Sequence, residues 1–101
     1  MEKRYLIDYL PVAEQDVTEI FEYISNDDPS SALTMLNRID EAVDNLSLFP
    51  YSGVVPDDLR LQSLDYRILI VENYLVFYVV MNNVVEIRRV LHGKRKYDFL
   101  F

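Results

Sequence analysis

Between Tyr66 and Leu91 the chain reads YRILIVENYLVFYVVMNNVVEIRRVL, three runs rich in Val, Ile, Tyr and Phe separated by Glu72-Asn73 and Asn82-Asn83. β-Branched and aromatic side chains suit a pleated surface, and two polar residues are the shortest link that returns a strand antiparallel to its predecessor. The spacing predicts a three-stranded meander over residues 66–71, 74–81 and 84–91, ended by Gly93. Such a sheet has an apolar face that water cannot be left to cover, so the rest of the chain must supply the cover.

Two amphipathic helices are available for this. Residues 4–10 alternate Tyr5, Ile7 and Tyr9 against Leu6, Asp8 and Leu10, as a strand with one inward face does. Pro11 ends that strand and suits the first position of a helix. There Ala13, Val17, Ile20 and Ile24, with Phe21 beside them, form one stripe, while Glu14, Gln15, Asp16, Glu19 and Glu22 are expected to point to water. Asn26-Asp27-Asp28-Pro29 breaks the pattern, with Asp28 a candidate N-cap and Pro29 the first residue of a second helix. Its stripe of Ala32, Leu36, Ile39, Val43 and Leu46 runs to about Leu48. Residues 49–63 contain Pro50, Gly53 and Pro56 and show no period, so they read as a returning loop. Within it Leu59 and Leu61 flank Arg60 in the pattern of a short extra strand. The final KRKYDFLF places Tyr97, Leu100 and Phe101 for a short terminal helix or a packing arm.

At 101 residues, half of them apolar or aromatic, the chain matches one domain, 1–101, with a genuine core. Cysteine is absent, which excludes disulfides and thiolate metal sites and fits a reducing cytoplasm. The longest apolar run is strand-length, far short of the ~20 residues that span a bilayer, and the N-terminus lacks a secretory apolar core. No membrane association is expected. There is no glycine-rich phosphate loop, no G-x-S-x-G elbow and no metal-spaced histidine pair, so neither a metal nor a small-molecule cofactor is expected. The formal charge of −7 is unevenly spread. Residues 1–66 carry four basic side chains against fourteen acidic ones, whereas residues 67–101 carry six against three. An acidic chain weighs against general nucleic-acid binding and leaves room for one local basic site.

That site is sought at the meander's end. Strict alternation puts Val84, Glu86, Arg88, Val90 and His92 on one face and Val85, Ile87, Arg89 and Leu91 on the other. Arg67 interrupts the first run opposite Tyr66, Ile68 and Ile70. Arg67, Arg88, His92 and Arg95 together would hold a phosphate or carboxylate through the arginine fork. The candidate target-binding residues are Arg60, Arg67, Arg88, Arg89, His92, Lys94, Arg95, Lys96 and Tyr97. The plainer reading of the same residues is that strand arginines lie on a wetted face and pair with Glu72, Glu86 or the helix acids. His92 is then a strand-end packing residue, and the tyrosines at 66, 74, 78 and 97 are packing groups rather than a base-stacking platform.

With these residues in place, the chain resembles the RelE/ParE family of bacterial toxins from type II toxin-antitoxin systems, the plasmid-stabilisation type. The resemblance rests on L-P-x-A-E-x-D at residues 10–16, Tyr23-Ile24, L-x-x-F-P-x-S-G at 46–53 and Leu59-Arg60. It continues through D-Y-R-I-L at 65–69, Y-L-V-F-Y at 74–78 and V-x-I-x-R-V-L-H-G-x-R at 85–95. Each piece is weak, and their order and spacing are specific. The resemblance implies an α+β fold of order β-α-α-β-β-β, a small antiparallel sheet with a helical hairpin on one face. It also implies a cognate antitoxin that wraps the toxin.

The resemblance leaves two kinds of target. ParE-like members inhibit DNA gyrase by binding, whereas RelE-like members cut mRNA in the ribosome. For a nuclease, Arg67 and Arg95 match two arginines of the RelE pattern and Arg60 stands where one of its lysines would be, with His92 or Tyr97 left for proton transfer. Asp58, however, occupies the place of the other lysine, and Phe101 that of the terminal tyrosine. Phenylalanine carries no exchangeable proton. An acidic protein is also poorly suited to a site surrounded by rRNA phosphate. The expectation is therefore a growth-inhibiting toxin that binds gyrase. The alternatives are a ribosome-dependent endoribonuclease and an inactive family member kept as a binding or regulatory subunit.

Overall fold

A computed structural model describes residues 4–94. Strand β1 (Leu6–Tyr9) is followed by helices α1 (Pro11–Ser25) and α2 (Pro29–Asp44), a 3-10 turn over Asn45–Ser47, and a short helix α3 (Leu59–Ser63). Strands β2 (Arg67–Val71), β3 (Tyr74–Met81) and β4 (Val84–His92) then form the meander at the expected positions. The sheet order is β1-β4-β3-β2. The meander is antiparallel, but β1 joins β4 in parallel, Leu6 opposite Val84 and Tyr9 opposite Ile87, so the sheet as a whole is mixed. The helical hairpin is the crossover such a parallel neighbour needs. Both two-residue links turn through positive φ at their first residue, Glu72 at 54° and Asn82 at 56°.

The helix starts follow their caps. Asp28 Oδ1 accepts the Ser30 and Ser31 N–H groups, and Pro29 follows at the first helical position. Both hairpin stripes pack against the sheet. Ala13, Ile39, Val43 and Leu46 meet Val71, Val76, Tyr78, Val85, Ile87 and Val90 in one cluster. A second cluster on the opposite face joins Leu61 of α3 to Tyr66, Ile68, Phe77, Val79 and Leu91. β3 is thus covered on both faces, which is why its apolar residues run consecutively rather than alternately.

Three expectations are corrected. The Leu59-Arg60-Leu61 segment is a helical turn, not a strand, because the Asp58 carboxylate caps it, accepting from the Arg60 N–H at 2.8 Å and the Leu61 N–H at 3.3 Å. Asp16 does not face water; it is 6% exposed. Alternation along β4 breaks where Phe77 pairs with Arg89 and Tyr78 with Ile87, leaving Arg88 as an extra residue in a bulge. Beyond the bulge the faces exchange, so Val90 joins the cluster of Val85 and Ile87 while Leu91 joins that of Phe77.

Candidate functional site

The bulge decides where the meander's cations go. Arg89 turns to α1, its Nε 2.7 Å from Asp16 Oδ2 and its Nη2 2.9 Å from Asp16 Oδ1, a bidentate pair with side chains 16% and 6% exposed. Asp16 Oδ2 also accepts the Val90 N–H at 3.0 Å. β1 has ended by then, its last link to β4 being the Leu10 N–H on the Ile87 carbonyl. Asp16 therefore takes the edge position that a longer strand would have filled. The Asp16 hydrogen bonds raise the Arg89 pKa above the ordinary guanidinium value, against burial, which lowers it. Arg89, an expected target contact, is thus bound into the fold.

Arg88 lies on the opposite face from the hairpin. Its guanidinium carbon is 5.4 Å from the Tyr66 ring centroid, and its Nε is 2.8 Å from Glu86 Oε1. Glu86 stands opposite Asp8 of β1, so two carboxylates face each other across neighbouring strands and Arg88 offsets their repulsion. Burial alone would lower its pKa, but Tyr66 and Glu86 together raise it.

Arg67 is on the hairpin side, paired with Tyr78 at the far edge strand. Its Nη1 donates at 3.1 Å to both the Tyr51 and Gly53 carbonyls, and the guanidinium lies 5.1 Å from the Tyr51 ring centroid. The same loop is held by the Tyr78 hydroxyl, which accepts the Gly53 N–H at 2.9 Å, and by a bridge between Val54 and Ile68. Gly53 is required by space: a Cβ there would lie 2.5 Å from the Tyr78 hydroxyl oxygen. Burial raises the Tyr78 pKa, partly opposed by the Gly53 hydrogen bond and Arg67.

His92 sits opposite Tyr74, their rings edge-to-face with centroids 5.4 Å apart. Its Nδ1 accepts the Lys94 N–H at 3.1 Å, which engages that nitrogen in closing the strand end. Arg60 is exposed beside Asp58 at 3.8 Å, and Lys94 is exposed beyond the strand. Among the described residues, then, Arg67 and Arg88 occupy opposite faces of the sheet, and His92 lies four pairings along β3 from Arg67. The described members of the expected cluster, Arg67, Arg88 and His92, are not brought together. Arg95, Lys96, Tyr97 and Phe101 lie outside the described residues. No group of three or more potential metal ligands converges among those described.

Sequence reasoning missed Asp16, although the signal was there. It falls three residues after Ala13 and four before Ile20, squarely on the buried stripe. It also missed an acidic trough where α1 and α2 meet β1. Two adjoining shallow hollows, wide open to solvent and of about 490 and 480 Å³, share Tyr9 and Asp40. One is lined further by Ile7, Glu41, Val43 and Asp44, the other by Asp8, Glu14, Val17 and Thr18.

The mixed sheet with its helical crossover, and a C-terminal meander whose described cations are split between faces, define a small α+β fold. Comparison with known proteins places it more narrowly. Residues 7–97 match the family model of the ParE toxin of type II toxin-antitoxin system, parDE, and the chain belongs to that family. Among solved structures, the chromosomal ParDE TA system from P. aeruginosa superposes with a TM-score of 0.74 at 19% identity, covering 91% of this chain and 99% of that one. At that identity the likeness bears on the fold. No curated protein sequence matches the chain significantly.

Proposed function

We propose that this chain, acting as one domain over residues 1–101 in the cytoplasm, arrests growth by binding DNA gyrase, and that a cognate antitoxin neutralises it. Family membership supports the toxin role, and the ParDE neighbour supports the antitoxin. The observation that carries binding over cutting is the use made of Arg67, the described arginine that best matches the nuclease pattern. Its Nη1 is spent on two backbone carbonyls at 3.1 Å, and the tyrosines beside it serve the same loop, Tyr51 by its ring face and Tyr78 by accepting the Gly53 N–H. Phosphoryl transfer to a 2′-hydroxyl needs a base, an acid and free cations around one phosphate. Here the cations hold the loop, Asp16 and Glu86 instead. The exposed basic residues Arg60 and Lys94, with Arg95, Lys96 and Tyr97, remain the target-contact set. No helix among the described residues is long and apolar enough to cross a membrane.

The test is purified chain in two assays. Inhibition of gyrase supercoiling with ribosome-bound mRNA left intact is the expected result. Cleavage of that mRNA in the ribosomal A site overturns the proposal, and absence of any growth defect when the chain is expressed alone overturns the toxin role itself.

A further inference from the structure

The trough between β1, α1 and α2 carries four carboxylates, Glu14, Asp40, Glu41 and Asp44, around a floor of Ile7, Tyr9, Val17 and Val43. All four are exposed, and among the described residues none is in a salt bridge or accepts a side-chain hydrogen bond. Other acids of the chain are used: Asp16 holds Arg89, Glu72 holds Arg38, Glu86 holds Arg88, and Asp28 and Asp58 cap helices. Among the described residues no cation lines either hollow. Like charges gathered along one concave surface repel one another, which costs stability in the free protein and returns it to whatever neutralises them.

Two further features show that the trough is more than a solvated acidic face. Among the described residues β1 is the edge strand, so on the side away from β4 the backbone groups of Ile7 and Tyr9 have no strand beside them. The Tyr9 hydroxyl is buried at the boundary of both hollows without a hydrogen-bond partner among the described residues. We infer that the trough is the seat of a partner segment that is amphipathic and cationic, laying apolar side chains on Ile7, Tyr9, Val17 and Val43 while Lys or Arg side chains meet the rim carboxylates. Resting on the toxin reading above, that partner is the antitoxin. The contact then has an acidic toxin surface and a basic antitoxin segment, and its strength falls as salt screens the rim.

The probes are two short labelled peptides sharing one leucine stripe, the first with lysines on its other face and the second with glutamates. The lysine peptide should bind the intact chain and the glutamate peptide should not. Asp40→Asn/Asp44→Asn should weaken lysine-peptide binding about tenfold, as loss of two close charge contacts does. Asp27→Asn/Asp57→Asn makes the same change in net charge outside the trough and should leave binding within about twofold. Amide shifts on binding should concentrate at residues 7–9, 14–18 and 40–44. Equal weakening by the two double variants, equal binding of the two peptides, no binding, or shifts centred on the β2 edge would each overturn the inference. All four substituted carboxylates are exposed and none is in a salt bridge among the described residues, so the variants should fold. Because this measurement does not involve gyrase, its failure leaves the target proposal standing, and failure in the gyrase assay leaves the trough standing.

Discussion

Asp16 of α1 grips Arg89 of β4 through two hydrogen bonds of 2.7 and 2.9 Å and takes the Val90 N–H with the same carboxylate. Three polar groups are satisfied at one place by the one carboxylate. Breaking a buried ion pair from one side costs ~3–5 kcal/mol, because the remaining charge has no solvent to replace its partner. Asp16→Ala and Arg89→Ala should each lose stability in that range, read from urea unfolding. The double variant should lose less than the sum, since the second substitution removes a charge already uncompensated. Additive losses would mean that the two groups act independently.

The loop at Tyr51 to Gly53 is held by Arg67 from one side and the Tyr78 hydroxyl from the other. Tyr78→Phe leaves the buried Gly53 N–H without its acceptor and should cost ~1–2 kcal/mol. Gly53→Ala forces a methyl group toward the Tyr78 oxygen and the Ile68 carbonyl and should cost ~1–3 kcal/mol. Arg67→Ala should speed amide exchange at Gly53 and Val54 more than at α1. Unchanged exchange there would show that the loop does not depend on the guanidinium.

Asp28 caps α2 with bonds from the Ser31 and Ser30 side chains and N–H groups, which hold its pKa below the ordinary carboxylate value. A lowered folded pKa contributes stability above the unfolded value of ~3.9 that is lost as pH falls through the folded one. The gap in stability between the native chain and Asp28→Ala should therefore be constant at neutral pH and close below about pH 4. A gap that persists into strong acid would point to a cap that does not need the charge.

Tyr9 ends in a buried hydroxyl with no partner among the described residues, and burial, with Asp40 nearby, pushes its pKa up to about 12. Tyr9→Phe removes an unsatisfied group and should raise the stability of the free chain by ~1 kcal/mol near neutrality. A raised folded pKa means that the neutral form's advantage is present below the usual tyrosine value and lost as pH rises toward 12. The native chain should accordingly fall further behind Tyr9→Phe in that alkaline window. Parallel pH profiles for the two would place the hydroxyl in water instead.

The elements themselves were legible because local patterning dictates them. The runs on either side of Glu72-Asn73 and Asn82-Asn83 form strands at the expected positions, and Asp28-Pro29 starts a helix, since two-residue turns and N-caps are settled by neighbours a few residues apart. Asp58 was legible in the same way, as a cap two and three residues before the N–H groups it accepts, but the apolar Leu59 and Leu61 pointed to a strand. The family could also be read from ordered motifs.

The distribution of function was not. Alternation assigns Arg88 and His92 to one face only if the ladder is regular, and the bulge that breaks it arises from pairing with β3 across the sheet. The parallel docking of β1, separated from β4 by most of the chain, ends at Tyr9 and leaves the edge that Asp16 fills. Arg67, Arg88 and Arg89 are equally cationic in the linear chain; their different partners come from contacts between distant segments. Local order here follows from residue type and spacing, whereas which charges are consumed by the fold and which stay open to a partner depends on where strands and helices meet in space.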